Sequence, residues 1–311
     1  MGLYAYCMIP ASPYPEVVTK HIRKALYFEG AGNDPRQAVQ CYLQALEEAT
    51  IQGLDQTGDD MTGLKIKIGA VYESSGRLDS ALRVYGGLLG EIKGALNSKN
   101  LSLEDRTRLL RRAIGTSIKV GDLSLSVPSA HTKAETAYTW ALEAFLKESA
   151  SRDGDTSWLE VDAIGGLYEA VANFYYADGR SHLALPLYLK SLEAVNEANC
   201  HTITIMNNIA SAISSQSNVP QIQENAAQWG LRARDLKVSW KTAEEKAECD
   251  LGRCSACFNL GMISEKRQRI EEAQGHYKNA LRKAIALQSE DGQGIEVMAI
   301  AGLERVQSRT N

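Results

Sequence analysis

Small and large apolar residues recur along the chain with one helical spacing. In the clearest copy, "EEAQGHYKNAL", an alanine is followed four positions later by a tyrosine and three positions after that by another alanine. Residues three and four apart share one face of an α-helix, so this spacing predicts a buried stripe. Six copies start at alanines that lie 42 to 53 residues apart. In chain order they begin at Ala38 with Tyr42, Ala81 with Tyr85, Ala134 with Tyr138, Ala184 with Tyr188, Ala226 with Gly230, and Ala273 with Tyr277 and Ala280.

A second helical stretch lies upstream of these copies and carries its own small residue. A small residue lets two helices approach closely, and a large residue nearby fills the gap against the next pair. We therefore predict six helix pairs, with the residues after Gly294 forming a helix that caps the last pair. The upstream positions are Gly69 with Tyr72, Gly115 with Ile118, Ala172 with Tyr175, Ala210 with Ile213, and Gly261 with Ser264.

Turn and cap residues divide the helices where this pairing requires it. The segments "SSGRLD" and "ADGRSH" contain Gly76 and Gly179, which can adopt the left-handed conformation that often ends a helix. Asp34 precedes Pro35, the preferred order for a capping residue and the first residue of a helix.

These patterns resemble the tetratricopeptide repeat, with units longer than its standard 34 residues. The segments "TIMNNIASAI" and "ALPLYLKSLEAV" are similar to the kinesin-light-chain type, whose longer units carry an asparagine pair on the first helix. The resemblance implies an all-α, right-handed solenoid of about six helix pairs with a C-terminal capping helix. We expect one superhelical domain over residues 16–311, preceded by an apolar segment, 1–15, that is either a buried start of the fold or the remnant of a membrane anchor.

Charge and motif content favour a protein partner over nucleic acid or a substrate. A net charge of −4 and a pI near 5.8 argue against a phosphate-binding face. The sequence has no phosphate-binding loop, no His-Glu-x-x-His and no nucleophile elbow, so we predict no catalytic site, no metal and no cofactor. His182 and His276 are expected to be exposed. The densest basic cluster is interpreted as a solvated helix face: Arg106, Arg108, Arg111 and Arg112.

Three of the six cysteines cluster at Cys249, Cys254 and Cys257. Cys254 and Cys257 would share one helix face. The sequence leaves three interpretations open, with buried thiols favoured over an oxidisable pair and a metal site disfavoured, because no partner pair follows at suitable spacing.

The first helices of stacked pairs are expected to line a concave recognition face. Asparagine amides offer a donor and an acceptor to an extended peptide, and methionine adapts to varied apolar ligands. The alternative is that these asparagines only cap or bridge neighbouring helices. The predicted polypeptide-binding residues are Asn173, Asn207, Asn208, Asn259, Phe258 and Met262.

One type of partner is disfavoured. Cochaperones of the repeat family hold acidic chaperone tails with lysine, asparagine and arginine on successive first helices. Here Ile66, Ala70 and Thr116 occupy matching positions, so the sequence lacks that clamp.

The first 90 residues suggest a closer relationship. "YPEVVTKHIRKALYFEGAGNDPRQAVQCYLQALEEA" and "GLDQTGDDMTGLKIKIGAVYESSGRLDSALRVY" resemble the fungal tetratricopeptide subunit of the mitochondrial i-AAA protease supercomplex. The resemblance implies an adaptor anchored in the inner membrane, with its repeats facing the intermembrane space. Such a protein would bind unfolded polypeptides and deliver them to the AAA protease without catalysis of its own. The alternative is a scaffold that binds a defined peptide motif or bridges two folded partners.

Overall fold

The computed structural model describes residues 13–98 and 100–309. These residues form thirteen α-helices and one 3₁₀ turn, with no strand among them. Consecutive helices pack as six pairs, and the thirteenth helix packs on the last pair. The predicted all-α tetratricopeptide-type architecture with a capping helix is therefore confirmed. The chain divides into two compact units between Trp158 and Leu159. The prediction of one domain over 16–311 stays a prediction, and of segment 1–15 only residues 13–15 are described.

The first unit holds three helix pairs, in which α1, α3 and α5 are the first helices. Its elements are α1 (Glu16–Glu29), α2 (Pro35–Ile51), α3 (Asp59–Ser74), α4 (Leu78–Leu96), α5 (Leu103–Ser126), a 3₁₀ turn (Pro128–Ala130) and α6 (Thr132–Ser151).

The second unit holds the other three pairs, with α7, α9 and α11 as first helices, and the capping helix. Its elements are α7 (Val161–Ala177), α8 (Ser181–Glu193), α9 (Cys200–Gln216), α10 (Pro220–Asp235), α11 (Ala243–Lys266), α12 (Ile270–Leu287) and α13 (Glu290–Gln307). Within the described ranges, no helix is long and apolar enough to cross a membrane.

Local signals in the sequence fix several helix ends. Asp34 accepts hydrogen bonds from the backbone N–H groups of Arg36 and Gln37, which confirms the predicted cap of α2. Gly76 and Gly179 have φ angles of 72° and 76°, as their turns require. The equivalent turn between α11 and α12 uses Gln268 at φ 59°, a conformation that glycine adopts at lower cost.

The small residues of the first helices meet the large residues of the second helices as predicted. A Cβ atom added at Gly69 would lie 2.6 Å from the Tyr85 ring, and one at Gly261 would lie 2.6 Å from Tyr277. All six anchoring alanines are fully buried. Small residues therefore set the distance between the helices of a pair.

The small residue predicted to lie where the two helices of the third pair cross, Gly115, is wrong. Gly115 is exposed and nothing would crowd its Cβ, whereas a Cβ at Gly121 would lie 2.7 Å from the Tyr138 ring. Gly121 lies five residues before the end of α5, as Gly69 and Gly261 do in their own helices. The turn between the paired helices thus sets the crossing point, and the 24-residue length of α5 places Gly115 too far from that turn.

Four of the five buried tyrosines of the second helices direct the hydroxyl group to a polar side chain of the paired first helix, and the fifth, Tyr85, donates to the carbonyl oxygen of Ile66. Burial and then the hydrogen bond to a carboxylate raise the pKa of Tyr42, Tyr138 and Tyr277, so each hydroxyl stays protonated as a donor. The hydroxyl donors and their acceptors are Tyr42 with Glu29, Tyr138 with Asp122, Tyr188 with Asn173, and Tyr277 with Glu265.

The cysteines divide between one disulfide and separate buried thiols. Cys249 pairs with Cys200, a residue the sequence did not single out, so the expectation of a free thiol at Cys249 is wrong. Cys254 and Cys257 remain buried thiols, and burial raises the pKa of Cys254 to about 11. The bond joins two first helices, α9 at its start and α11, through cysteines that lie 49 residues apart along the chain. Within the described ranges, no group of three or more His, Cys, Asp or Glu side chains could hold a metal ion.

Candidate functional site

Two of the six predicted binding residues contact each other on neighbouring first helices. Asn259 on α11 donates to Asn207 Oδ1 on α9 at 3.0 Å and to Ser211 Oγ at 2.8 Å. Asn207 is buried and Asn259 is half-buried. Their amides satisfy each other without charge, so these side chains bridge α9 and α11.

Phe258 and Met262 lie one turn apart on α11. Both are half-buried and pack against a cluster that contains Tyr277, and the Phe258 ring centroid lies 5.7 Å from that of Tyr277. Met262 also lines a shallow cleft together with Asn218 and Lys266. Part of each apolar side chain therefore remains available at the surface of the second unit.

The remaining two predicted residues, Asn173 and Asn208, lie on α7 and α9. Asn173 on α7 is exposed, and its Oδ1 accepts the hydroxyl hydrogen of Tyr188 at 2.7 Å. It therefore supports the α7–α8 pair in addition to facing solvent. Asn208 on α9 is half-buried beside Asn207.

In the first unit, ion pairs occupy the corresponding places between first helices. Lys67 on α3 contacts Glu29 on α1 at 2.6 Å, and Lys119 on α5 contacts Glu73 on α3 at 3.0 Å. Both pairs are partly exposed, so salt screens them and each contributes less than about 1 kcal/mol.

The arginine-rich stretch of α5 is not a free solvated face, which corrects the sequence interpretation. All four arginines bind groups on other elements of the first unit. The contacts are Arg106 with Glu148, Arg108 and Arg112 with Asp59, and Arg111 with the carbonyl oxygen of Trp158. The cluster therefore ties α5 to α3, to α6 and to the loop that follows α6.

Three of these four arginines also line an open basic cleft of about 750 Å³ in the first unit. Asp59 and Glu104 neutralise part of its charge. The basic side chains of this cleft are Arg108, Arg111, Arg112 and Arg152.

An acidic cleft of about 610 Å³ lies among α7, α8 and α9 in the second unit. Asp162 and Glu197 are exposed at its rim, and its lining includes Gly165, Ser191 and the apolar Val195. The sequence analysis missed this cleft, because its rim residues are separated by a whole helix pair and share no spacing signal.

His201 borders the acidic cleft among carboxylates. Its Nε2 lies 2.6 Å from Glu169 Oε2, and its Nδ1 lies 3.9 Å from Glu248 Oε1. The hydrogen bond to Glu169 raises the pKa of His201, with further contributions from the charges of Glu169, Glu248 and Asp162. By contrast, burial lowers the pKa of His276, which is half-buried and not exposed as predicted, whereas His182 is exposed.

Comparison with known proteins agrees with this architecture. No protein-family model matches the chain. A TPR repeat-containing protein of Schizosaccharomyces pombe is 25% identical over 298 residues, which cover 91% of this chain and 78% of that protein. The chain has a tetratricopeptide-type helical-repeat fold. The crystal structure of BtubC (BKLC) from P. vanneervenii matches this repeat protein with a TM-score of 0.52 and 14% identity, over 88% of this chain and 91% of that one, and shows a shared fold alone.

A second sequence match is shorter. The mitochondrial inner membrane i-AAA protease supercomplex subunit MGR3 of Saccharomyces cerevisiae is 28% identical to the repeat protein over 115 residues. That stretch covers 37% of this chain and 23% of MGR3, so the match spans about a quarter of MGR3.

Proposed function

We propose that this repeat protein is a non-enzymatic adaptor that captures unfolded or misfolded polypeptides and recruits them to an AAA protease of the inner mitochondrial membrane. The observation that carries the proposal is the 115-residue match to MGR3, a subunit of an i-AAA protease supercomplex. The repeats would face the intermembrane space. The buried disulfide between Cys200 and Cys249 supports a compartment more oxidising than the cytosol.

The first helices of the second unit supply the capture surface in this proposal. Phe258 and Met262 offer part of their apolar surface. Asn259 follows Phe258 on α11 and Asn208 lies on α9, and both are half-buried with polar groups for a peptide backbone. A mixed apolar and amide surface of this kind suits weak binding of many sequences.

Co-purification tests the recruitment. A tagged copy behind an inner-membrane anchor would be recovered from gently solubilised mitochondria, beside the same anchor carrying an unrelated helical-repeat domain. We expect an AAA protease in stoichiometric yield with the first and none with the second. Equal recovery with both, or no protease with either, would refute the recruitment.

Binding of an unfolded chain tests the capture. We expect Asn208→Ala with Met262→Ala to weaken binding of a reduced, carboxymethylated protein by about threefold or more, since each removes a contact of about 0.5–1 kcal/mol. The matched pair Gln228→Ala with Lys278→Ala, at exposed positions of second helices, should bind as the parent does.

A second candidate is a scaffold for one defined peptide motif. It is favoured by the hydrogen bonds that fix Asn207, Asn259 and Ser211, because a pre-organised polar surface suits one register of a peptide. A random peptide library separates the two: one enriched motif with high affinity supports the scaffold, and broad weak selection supports the adaptor.

A further inference from the structure

The rim of the acidic cleft carries charges that the fold does not use. Asp162 and Glu197 are exposed, and neither makes an ion pair or a side-chain hydrogen bond within the described part of the chain. Glu169 and Glu248 lie on either side of His201 at the border of the cleft. Four carboxylates therefore create a negative potential here, and His201 offsets only part of it.

The cleft also contains a buried hydroxyl group without a partner. Ser191 lines the cleft and is fully buried, and its Oγ has no hydrogen-bond partner. That oxygen lies 3.9 Å from the place that a Cβ on Gly165 would take, so the absence of a side chain at Gly165 leaves space beside it. An unpaired buried hydroxyl costs free energy, and a ligand that reaches it recovers this cost.

The walls indicate which kind of cation fits. Val161, Val195 and Ile205 line the cleft beside the carboxylates, so apolar and acidic surfaces lie next to each other. Lysine and arginine have this same combination, with a long apolar stem and a charged head. A volume of about 610 Å³ exceeds what a single ion needs and lies within the range of sites for larger ligands.

We propose that the acidic cleft binds a basic side chain, a lysine or an arginine, in an extended segment of a partner polypeptide. The stem lies against the apolar wall, the head contacts Asp162 and Glu197, and Ser191 forms a hydrogen bond with the bound segment. The site is separate from the asparagines of the proposed capture surface and does not depend on delivery to a protease.

Fluorescence anisotropy of a labelled peptide tests the proposal with the full chain at low salt. The probe is a ten-residue peptide of alternating lysine and leucine, and its control is the same peptide with every lysine acetylated, which keeps the stem and removes the charge. We expect the lysine peptide to bind at least tenfold more tightly. Equal binding of the two peptides would overturn the proposal.

Two charge-matched variants locate the binding. Asp162→Asn with Glu197→Gln should weaken binding by about tenfold, since two partly exposed charge contacts are lost. Glu271→Gln with Glu304→Gln removes the same charge from exposed positions of the second unit and should change binding less than twofold. A control pair that weakens binding as much as the cleft pair would show a long-range charge effect and overturn the assignment.

Ser191→Ala separates a binding role from a structural one. The hydroxyl has no partner in the fold, so we expect an unfolding midpoint that is unchanged or higher, and binding weaker by about threefold. A lower midpoint with unchanged binding would contradict the assignment of Ser191. Asn208→Ala with Met262→Ala should leave the affinity ratio between the lysine peptide and its acetylated control unchanged, which distinguishes this cleft from the capture surface.

Discussion

The first helices of the first unit are connected mainly by ion pairs, whereas those of the second unit are connected by neutral groups as well as by the ionic contacts of His201. In the first unit, Lys67 joins α3 to α1, and Arg108 and Arg112 share Asp59 between α5 and α3. In the second unit, Asn259 joins α11 to α9 through neutral amide and hydroxyl groups, and a disulfide reinforces the same two helices.

The difference shows that the repeat requires a spacing and not a particular bond. Both units have glycine against a tyrosine ring within a pair, because the distance between paired helices depends on it. The ion pairs between first helices of the first unit are partly exposed and Asn259 of the second unit is half-buried, and both kinds of contact contribute small amounts. Those positions are thus free to differ, and the two clefts differ in charge as well.

Removing the disulfide should give the largest effect, and only in the second unit. Cys200→Ala with Cys249→Ala opens a 49-residue loop, for which chain entropy predicts a loss of about 4 kcal/mol. Urea unfolding followed by tryptophan fluorescence checks this, with Trp140 or Trp158 as reporter for the first unit and Trp229 or Trp240 for the second. A matching loss in the first unit would contradict independent stabilisation of the two units.

Substitution of the crossing glycines should affect both units alike. Gly69→Ala and Gly261→Ala each place a methyl group within 3 Å of a tyrosine ring, and we expect losses of about 2–3 kcal/mol. Gly115→Ala is the control: it lies on an exposed helix surface and should stabilise by up to about 1 kcal/mol. Thermal unfolding measures all three, and a loss at Gly115 would refute the crossing point assigned to Gly121.

Salt should separate the ionic from the neutral connections. Asn259→Ala leaves the buried amide of Asn207 without its partner, so we expect a loss of about 1–2 kcal/mol that does not change with salt. Asp59→Asn removes the carboxylate shared by two arginines and should cost about 1 kcal/mol at low salt and less in 1 M salt. Equal salt dependence of the two variants would contradict the distinction between ionic connections in the first unit and neutral connections in the second.

Two opposite substitutions in the turns that join paired helices should change stability in opposite directions. Gln268→Gly relieves a left-handed conformation in the second unit and should stabilise by about 0.5–1 kcal/mol, because the relieved strain of about 1–2 kcal/mol exceeds the added chain entropy. Gly76→Gln introduces the same conformation at a non-glycine residue in the first unit and should cost about 1 kcal/mol. Paired denaturation curves measure both changes, and the same sign for both would contradict the argument.

Two histidines of the second unit should give the smallest effects, of opposite sign with pH. The pKa of His201 is raised above 6.5, so its stabilising contribution is present below pH 6.5 and is lost as the pH rises through the raised value. The pKa of His276 is lowered, so its contribution is present above pH 6.5 and is lost as the pH falls through the lowered value. NMR titration of both rings, assigned with His201→Gln and His276→Gln, tests the direction of each pKa shift. The pH dependence of stability of the same two variants tests the sign of each contribution.

Much of the fold could be predicted because its signals are local. The alanine and tyrosine spacing, the cap at Asp34 and the glycine turns at Gly76 and Gly179 depend on residues within one or two helical turns. The binding surface was less predictable, since exposure of Asn207 and Asn173 depends on neighbours that sequence spacing does not specify.

The sequence alone determined that the chain forms stacked helix pairs, because each segment has the spacing of apolar residues that an α-helix requires. Only the tertiary structure decided that Gly121 meets Tyr138, that Cys200 pairs with Cys249, and that Asp162, Glu169 and Glu248 lie around His201. The physical reason is distance along the chain. These contacts join residues 17 to 49 positions apart, and their formation depends on helix lengths, turns and crossing points acting together.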